Sequence, residues 1–150
     1  MHLFNPLTPN VDLGGTEIDL RFRNKDEGDV MVVVAPVLRF REVGYNARVN
    51  MEFLGSPDQI IAGFAPELYG KPLEDDAVVK TRVTKKGDET YYQWELTPHR
   101  LVSATATGNR LFLMSTTSNS RQWRRGGENL RIMIDSFFVP PVPAYAAVGF

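Results

Sequence analysis

From Asp76 to Thr117 the chain repeats one pattern four times: a short run of alternating apolar and polar residues, then residues that favour a tight reversal. The runs are marked by Val79, Thr81 and Val83, then Tyr92, Trp94 and Leu96, then Val102, Ala104 and Ala106, then Leu111 and Leu113 with Phe112 and Met114 opposite. A period of two belongs to a strand with distinct faces. The intervening residues Gly87-Asp88, Pro98 and Gly108-Asn109 have the dihedral preferences of turns. Four consecutive strands joined in this way form an antiparallel meander, and the rest of the chain must pack on it or pair with it.

Two further strands precede the meander. Ile18, Leu20 and Phe22 alternate with Asp19, Arg21 and Arg23, and the turn NKDEGD leads into Val30 to Val37, a β-branched run apolar on both faces. Such a run predicts a central strand covered by helices on both sides. Residues 38–52, of mixed charge with Gly44 and Asn46, read as a loop. At Ser56-Pro57-Asp58-Gln59 an N-cap, a first-turn proline, an acid and a capping-box glutamine coincide, so a helix starts there. Ile60, Ile61, Phe64 and Leu68 give it one apolar face, and Pro66 predicts an end or kink near Ala65, with Glu67 to Tyr69 as a further turn. After TTSNS, one of Ser118, Asn119 and Ser120 caps a second helix in which Trp123, Leu130, Ile134 and Phe137 recur to about Ser136. Gly126-Gly127 costs that helix about 2 kcal/mol relative to two alanines, so packing against the sheet must hold it. Strand, strand, helix, four strands, helix is an α+β layered domain.

Chemistry-bearing patterns are few. The 150 residues contain no cysteine, which removes disulfides, thiol nucleophiles, zinc fingers and iron–sulfur clusters. A formal charge of −1 lacks the global basicity of a nucleic-acid binder. The longest uncharged apolar stretch, Phe137 to Phe150, is interrupted by proline and glycine, so no span across a bilayer is expected. The N-terminus MHLFNPLTPN has neither a basic region with an apolar core nor an Arg/Ser-rich amphipathic segment, so a targeting peptide is expected to be absent. There is no G-x-S-x-G, H-E-x-x-H, P-loop or G-x-G-x-x-G string; no catalytic residue, cofactor or metal is assigned.

His2 and His99 are the available imidazoles. His99, between Pro98 and Arg100 at a reversal, reads as a general base, a surface metal ligand, a pH-sensitive contact, or simply an exposed turn residue. Glu74-Asp75-Asp76 reads as a cation or paired-carboxylate site, or as a solvated loop. Tyr92, Trp94 and Met114 could line a pocket between sheet and helix for a pigment, quinone or lipid, or fill the core.

Charge is unevenly placed. Residues 51–98 carry five bases against nine acids, a net −4, whereas residues 99–150 carry six arginines against Glu128 and Asp135, a net +4. Arg121, Arg124 and Arg125 fall at i, i+3 and i+4, on one side of the last helix. Always-charged guanidinium forks grouped in this way suit an acidic protein surface; a merely solvated helix face is the alternative. The uncharged tail PPVPAYAAVGF suits either docking or disorder.

Four segments carry a resemblance to the PsbP domain family, extrinsic thylakoid-lumen proteins of oxygenic phototrophs. FLGSPDQIIAGF is similar to the family's helix start, GDETYYQWEL to its Tyr-Tyr strand, HRLVSATATGNRLFLM to its hairpin and SRQWRRGGENLRIMIDSFFV to its closing helix. Around VVVAPVLRF and GFAPELYG the chain resembles the auxiliary PsbP-domain proteins more than the PsbP subunit of photosystem II. The likeness spans Thr16 to Val139, dividing the chain into an arm (1–15), a domain (16–139) and a tail (140–150).

The resemblance implies an α/β/α sandwich around an antiparallel sheet and no enzymatic chemistry. It implies a chloroplast thylakoid-lumen location, peripheral to the membrane, and work on photosystem subunits or other lumen-exposed protein surfaces as an extrinsic subunit or assembly factor. Arg121, Arg124 and Arg125, with His99 and Arg100, are then the expected partner-binding residues. Two departures stand out. Where the family has an N-terminal hairpin this chain has MHLFNPLTPN, so either the chain is trimmed or the sheet lacks two strands, and a missing hairpin would leave a sheet edge open to a further strand. His99 aligns with a family histidine discussed as a metal ligand, but the family's aspartate falls on Ser120; calcium binding enters only as a weak implication.

Overall fold

In the computed structural model, residues 5–6, 18–37 and 49–141 are described. The expected arm, loop and tail lie largely outside these residues. Alternation and turn chemistry produce the strands β1 (Asn5–Pro6), β2 (Ile18–Asn24), β3 (Gly28–Pro36), β4 (Val78–Lys86), β5 (Glu89–Leu96), β6 (Arg100–Thr107) and β7 (Arg110–Thr117). The helices are α1 (Met51–Leu54), α2 (Pro57–Tyr69) and α3 (Ser120–Ser136). All strands join one antiparallel sheet of order β1-β2-β3-β7-β6-β5-β4. The chain therefore crosses one face of the sheet between β3 and β4, carrying α1 and α2 with it, and returns through the meander to set β7 beside β3. Two-residue reversals at Gly87 and Gly108, with φ of 66° and 62°, use glycine where a side chain would be strained.

Strand parity decides which side chains meet which helices. Val33, Ala35, Val37, Tyr92, Trp94, Leu96, Val102, Ala104, Ala106, Leu111 and Leu113 point toward α1 and α2, where they bury Met51, Leu54, Ile60, Ile61, Phe64 and Leu68. The Tyr92 hydroxyl donates to the Gly55 carbonyl at 2.9 Å, fixing the entry to α2. On the opposite face Leu101 meets Leu130 and Ile134 of α3, with Met114 and Trp123 at the margin. That second layer is smaller and more polar. Gln93 Nε2, Ser103 Oγ and Thr116 Oγ1 are buried on this face without hydrogen-bond partners.

Some expectations need correction. β3 is covered less completely on its α3 face: Val33, Ala35 and Val37 are buried on the α1–α2 face, whereas on the other face Val30 is buried but Val32 and Val34 are half-buried, because α3 reaches only part of that face. Helix α2 runs through Pro66 to Tyr69, which supplies the further turn expected over Glu67 to Tyr69. Pro66 and Ala62, whose carbonyl loses its partner, are both exposed, so water can satisfy that oxygen. The N-terminal edge is not left without any pairing, since Asn5 and Pro6 pair with Arg23 and Phe22. The loop expected over 38–52 overlaps α1 at Met51 and Glu52, and Asn50 caps that short helix through Phe53.

Helix α2 has the capping box that its sequence announces: Gln59 N–H donates to Ser56 Oγ at 3.3 Å, and Ser56 N–H donates to Gln59 Oε1 at 2.9 Å. In α3 the cap is Asn119, with Gln122 as its reciprocal partner at 2.8 and 2.9 Å. Its other end is capped from the sheet. The Lys86 ammonium donates to the carbonyls of Asp135 (2.6 Å) and Phe137 (2.5 Å) and lies 4.6 Å from the Tyr91 ring centre. Burial pulls this ammonium below the ordinary lysine range, and the charge of Asp135 opposes the shift. Lys86→Met removes a cation from orphan C-terminal carbonyls and is expected to lower stability by about 1–2 kcal/mol, seen as an earlier thermal transition by circular dichroism.

Gly126-Gly127 has a packing reason. A Cβ at Gly126 would lie 2.3 Å from Cγ and 2.8 Å from Cβ of Glu27, in the β2–β3 turn. Glu27 is buried beneath the helix, where its carboxylate accepts from Asn129 Nδ2 at 2.6 Å. Its backbone is held by Asn24, whose Oδ1 accepts from the Asp26 and Glu27 N–H groups at 2.8 and 3.1 Å.

Candidate functional site

The outward side of α3 presents Arg121, Arg124 and Arg125, as their spacing requires, and all three are exposed. Their surroundings differ. Arg125 pairs with Asp26 at 3.3 Å, and Arg131, one turn and a half further on, pairs with Glu95 at 2.8 Å while lying 5.0 Å from the Trp123 ring centre. These are solvent-exposed pairs, which tether side chains more than they stabilise the fold. Among the described residues, Arg121 and Arg124 enter no ion pair. The same helix surface ends in an apolar residue that the charge pattern did not single out, Ile132, 62% exposed. Its position, eight residues after Arg124, was the available signal.

His99 supports this surface from below. It has a φ of 56° after the cis Thr97–Pro98 bond, and its carbonyl accepts from the Ser118 N–H at 3.2 Å. Its ring stacks on Trp123 with centroids 5.2 Å apart and planes 22° from parallel, and Nε2 lies 3.4 Å from Ser120 Oγ. The imidazole thus joins the β5–β6 turn to the first turn of α3. Where the resemblance places an aspartate beside this histidine, the chain has a hydroxyl. Among the described residues, no three His, Asp or Glu side chains gather as a metal site would need.

Arg100 is separated from that group. As the first residue of β6 it shares parity with Val102 and Ala104, so its guanidinium lies on the α2 face, 4.1 Å from the ring centre of Tyr69. The Tyr69 hydroxyl is 3.4 Å from Ser115 Oγ. Burial pushes this phenol up, against the opposing Ser115 hydrogen bond and Arg100 charge. Of the five residues expected to form one surface, four lie around α3 and one lies across the sheet.

The other sequence candidates resolve plainly. Glu74, Asp75 and Asp76 are exposed, and Glu74 pairs with Lys71 at 3.1 Å, the solvated-loop reading. Tyr92 and Trp94 are 4% and 2% exposed within the α1–α2 core, whereas Met114 lies on the α3 face, so they cannot line one pocket. Charge is layered: α1 and α2 carry Glu52, Asp58 and Glu67 with no basic residue, while α3 carries Arg121, Arg124, Arg125 and Arg131 against Glu128 and Asp135. No helix among the described residues is long and apolar enough to cross a membrane.

The PsbP family matches residues 10–139. The chain is 46% identical over 128 residues to PsbP domain-containing protein 4, chloroplastic, of Arabidopsis thaliana, covering 85% of this chain and 48% of that protein. It is 33% identical over 127 residues to PsbP domain-containing protein 6, chloroplastic, of the same plant, covering 80% and 47%. The chain therefore spans about half the length of these curated relatives. The solution structure of cyanobacterial PsbP (CyanoP) from Synechocystis superposes with a TM-score of 0.62 at 12% identity, covering 91% of this chain and 82% of that one, which shows a shared fold. With the sheet, its helices and a match from residue 10 to residue 139 in agreement, the chain belongs to the PsbP family.

Proposed function

We propose that this chain is a non-enzymatic extrinsic protein of the chloroplast thylakoid lumen that docks through α3 on an acidic, lumen-exposed surface of a photosystem and assists its assembly or stability. The observation that carries this reading is the exposed Arg121 and Arg124, which enter no ion pair among the described residues, on a helix capped at both ends. Guanidinium groups without internal partners are available to carboxylates of another protein. Membership of the PsbP family, and the chloroplastic names of its relatives, support the compartment and the class of partner.

The test is co-purification of the tagged chain from detergent-solubilised thylakoids, under conditions that retain known extrinsic subunits. Recovery of photosystem subunits, falling as salt is raised, is the expected result. Arg121→Glu with Arg124→Glu should weaken binding by about tenfold or more at low salt, since a like-charge juxtaposition replaces an attractive one. Recovery of no photosynthetic complex by the wild type would remove the reading; undiminished recovery by the double variant would move the interface off α3.

A further inference from the structure

On the face of the sheet opposite α3, three arginines from two strands, Arg21 and Arg23 of β2 and Arg100 of β6, converge on one cleft of about 270 Å³. The register explains why. Arg23 of β2 pairs with Asp29 of β3, Asp29 with Thr117 of β7, and Thr117 with Arg100 of β6, so these four residues form one row across the sheet. The neighbouring row of the same parity runs from Arg21 through Met31 to Ser115. Leu68 and Tyr69 at the end of α2 form the wall. Adjacent strands lie about 4.8 Å apart, so Arg23 and Arg100 are separated by about 14 Å of sheet and long side chains can lean over the gap.

The cleft is unequally charged. Asp29 is its one carboxylate among the described residues, and it is engaged with Arg23 at 3.4 Å. Arg100 is held with its guanidinium over Tyr69, and its Nε–H is buried without an acceptor. A buried cationic donor with no acceptor is costly to leave unmade, and its fixed orientation is that of a group awaiting an oxyanion. Met31, Leu68 and the Tyr69 ring add an apolar side to the same space. Small-molecule sites combine these traits, an apolar wall and a few placed polar groups, at volumes only slightly larger.

We propose that this cleft binds a small ligand with an oxyanion head, a carboxylate or phosphate, on a short apolar body, with Arg100 as its principal donor. The ligand class, the residues and the face of the sheet all differ from those of the α3 docking surface, so the two readings stand or fall separately. Isothermal titration calorimetry on the whole chain at low ionic strength, with hexyl phosphate, hexanoate, inorganic phosphate and hexanol as probes, tests it. Saturable binding of hexyl phosphate or hexanoate is expected, weaker with inorganic phosphate and absent with hexanol; which of the two amphiphiles binds more tightly identifies the head group.

Arg100→Met should weaken that binding by about tenfold or more. Thr117→Glu supplies a tethered carboxylate between Arg23 and Arg100, and should block the probes without lowering the melting temperature. This second variant keeps the test sharp should Arg100→Met fold poorly. Arg121→Glu, on the far face, should leave binding intact. No saturable binding of either amphiphile, equal binding of hexanol, or binding untouched by both cleft variants would each overturn the proposal.

Discussion

Gly126→Ala should destabilise the protein by about 1–3 kcal/mol, even though alanine is the better helix former by about 1 kcal/mol. The new methyl would enter at 2.3 Å from Glu27 Cγ and 2.8 Å from Glu27 Cβ, near the backbone end of a side chain that cannot swing clear. The Asn24 hydrogen bonds hold the turn, and the Asn129 bond holds the carboxylate, so relief requires lifting α3 or breaking a buried polar contact. Chemical denaturation of wild type, Gly126→Ala, Glu27→Ala and the double variant would measure this. Shortening Glu27 removes the closer of the two contacts, so the cost of Gly126→Ala should shrink in that background. Equal costs in both backgrounds would show that Glu27 is not what forbids a side chain at 126.

Leu130→Ala should cost about 2–5 kcal/mol, with its effect concentrated in α3. Leu130 is fully buried, but its layer consists of Leu101, Leu130 and Ile134 with Met114 and Trp123 at the edge, against the far larger set beneath α1 and α2. The same interface buries Gln93 Nε2, Ser103 Oγ and Thr116 Oγ1 without partners, and the helix contains two glycines. With little propensity or apolar area in reserve, α3 should open before the sheet does. Hydrogen exchange should therefore show the amides of α3 losing protection in Leu130→Ala while β5, β6 and α2 keep most of theirs. Uniform loss across all elements would mean that the two layers unfold as one unit.

Much of the architecture was legible because local chemistry and tertiary packing agree. Gly87 and Gly108 mark the reversals, the Ser56–Gln59 box starts α2 where it should, and the parity of Tyr92, Trp94 and Leu96 identifies the inner face of β5. The arginines of α3 were legible for the same reason, since helical spacing alone decides their exposure. What local patterns could not supply was pairing across long separations. Nothing near Glu27 signals that it is buried under a glycine ninety-nine residues later, so the glycines appeared as a cost with an unnamed return. Arg100 was grouped with its neighbour His99, although the reversal at Pro98 and His99 sends the two side chains to opposite sides of the sheet. The cleft was invisible for a related reason: Arg21, Arg23, Tyr69 and Arg100 meet only through the strand order.

The helices on the two sides of the sheet differ in charge, α1 and α2 carrying acids alone and α3 four arginines against two acids, although Arg21, Arg23 and Arg100 of the sheet lie on the α1–α2 side. Opposite charges on the two sides of a thin plate give a moment along the plate's normal, and an approaching acidic surface exerts a torque on that moment from beyond contact range. On the proposed docking through α3, such a moment would favour arrival with α3 foremost, so a larger share of encounters would begin in a productive orientation. The advantage fades once salt shortens the screening length to about 10 Å or less, smaller than the plate itself. In the same field, two copies of the chain would align front to back, each offering its acidic helices to the arginines of the next.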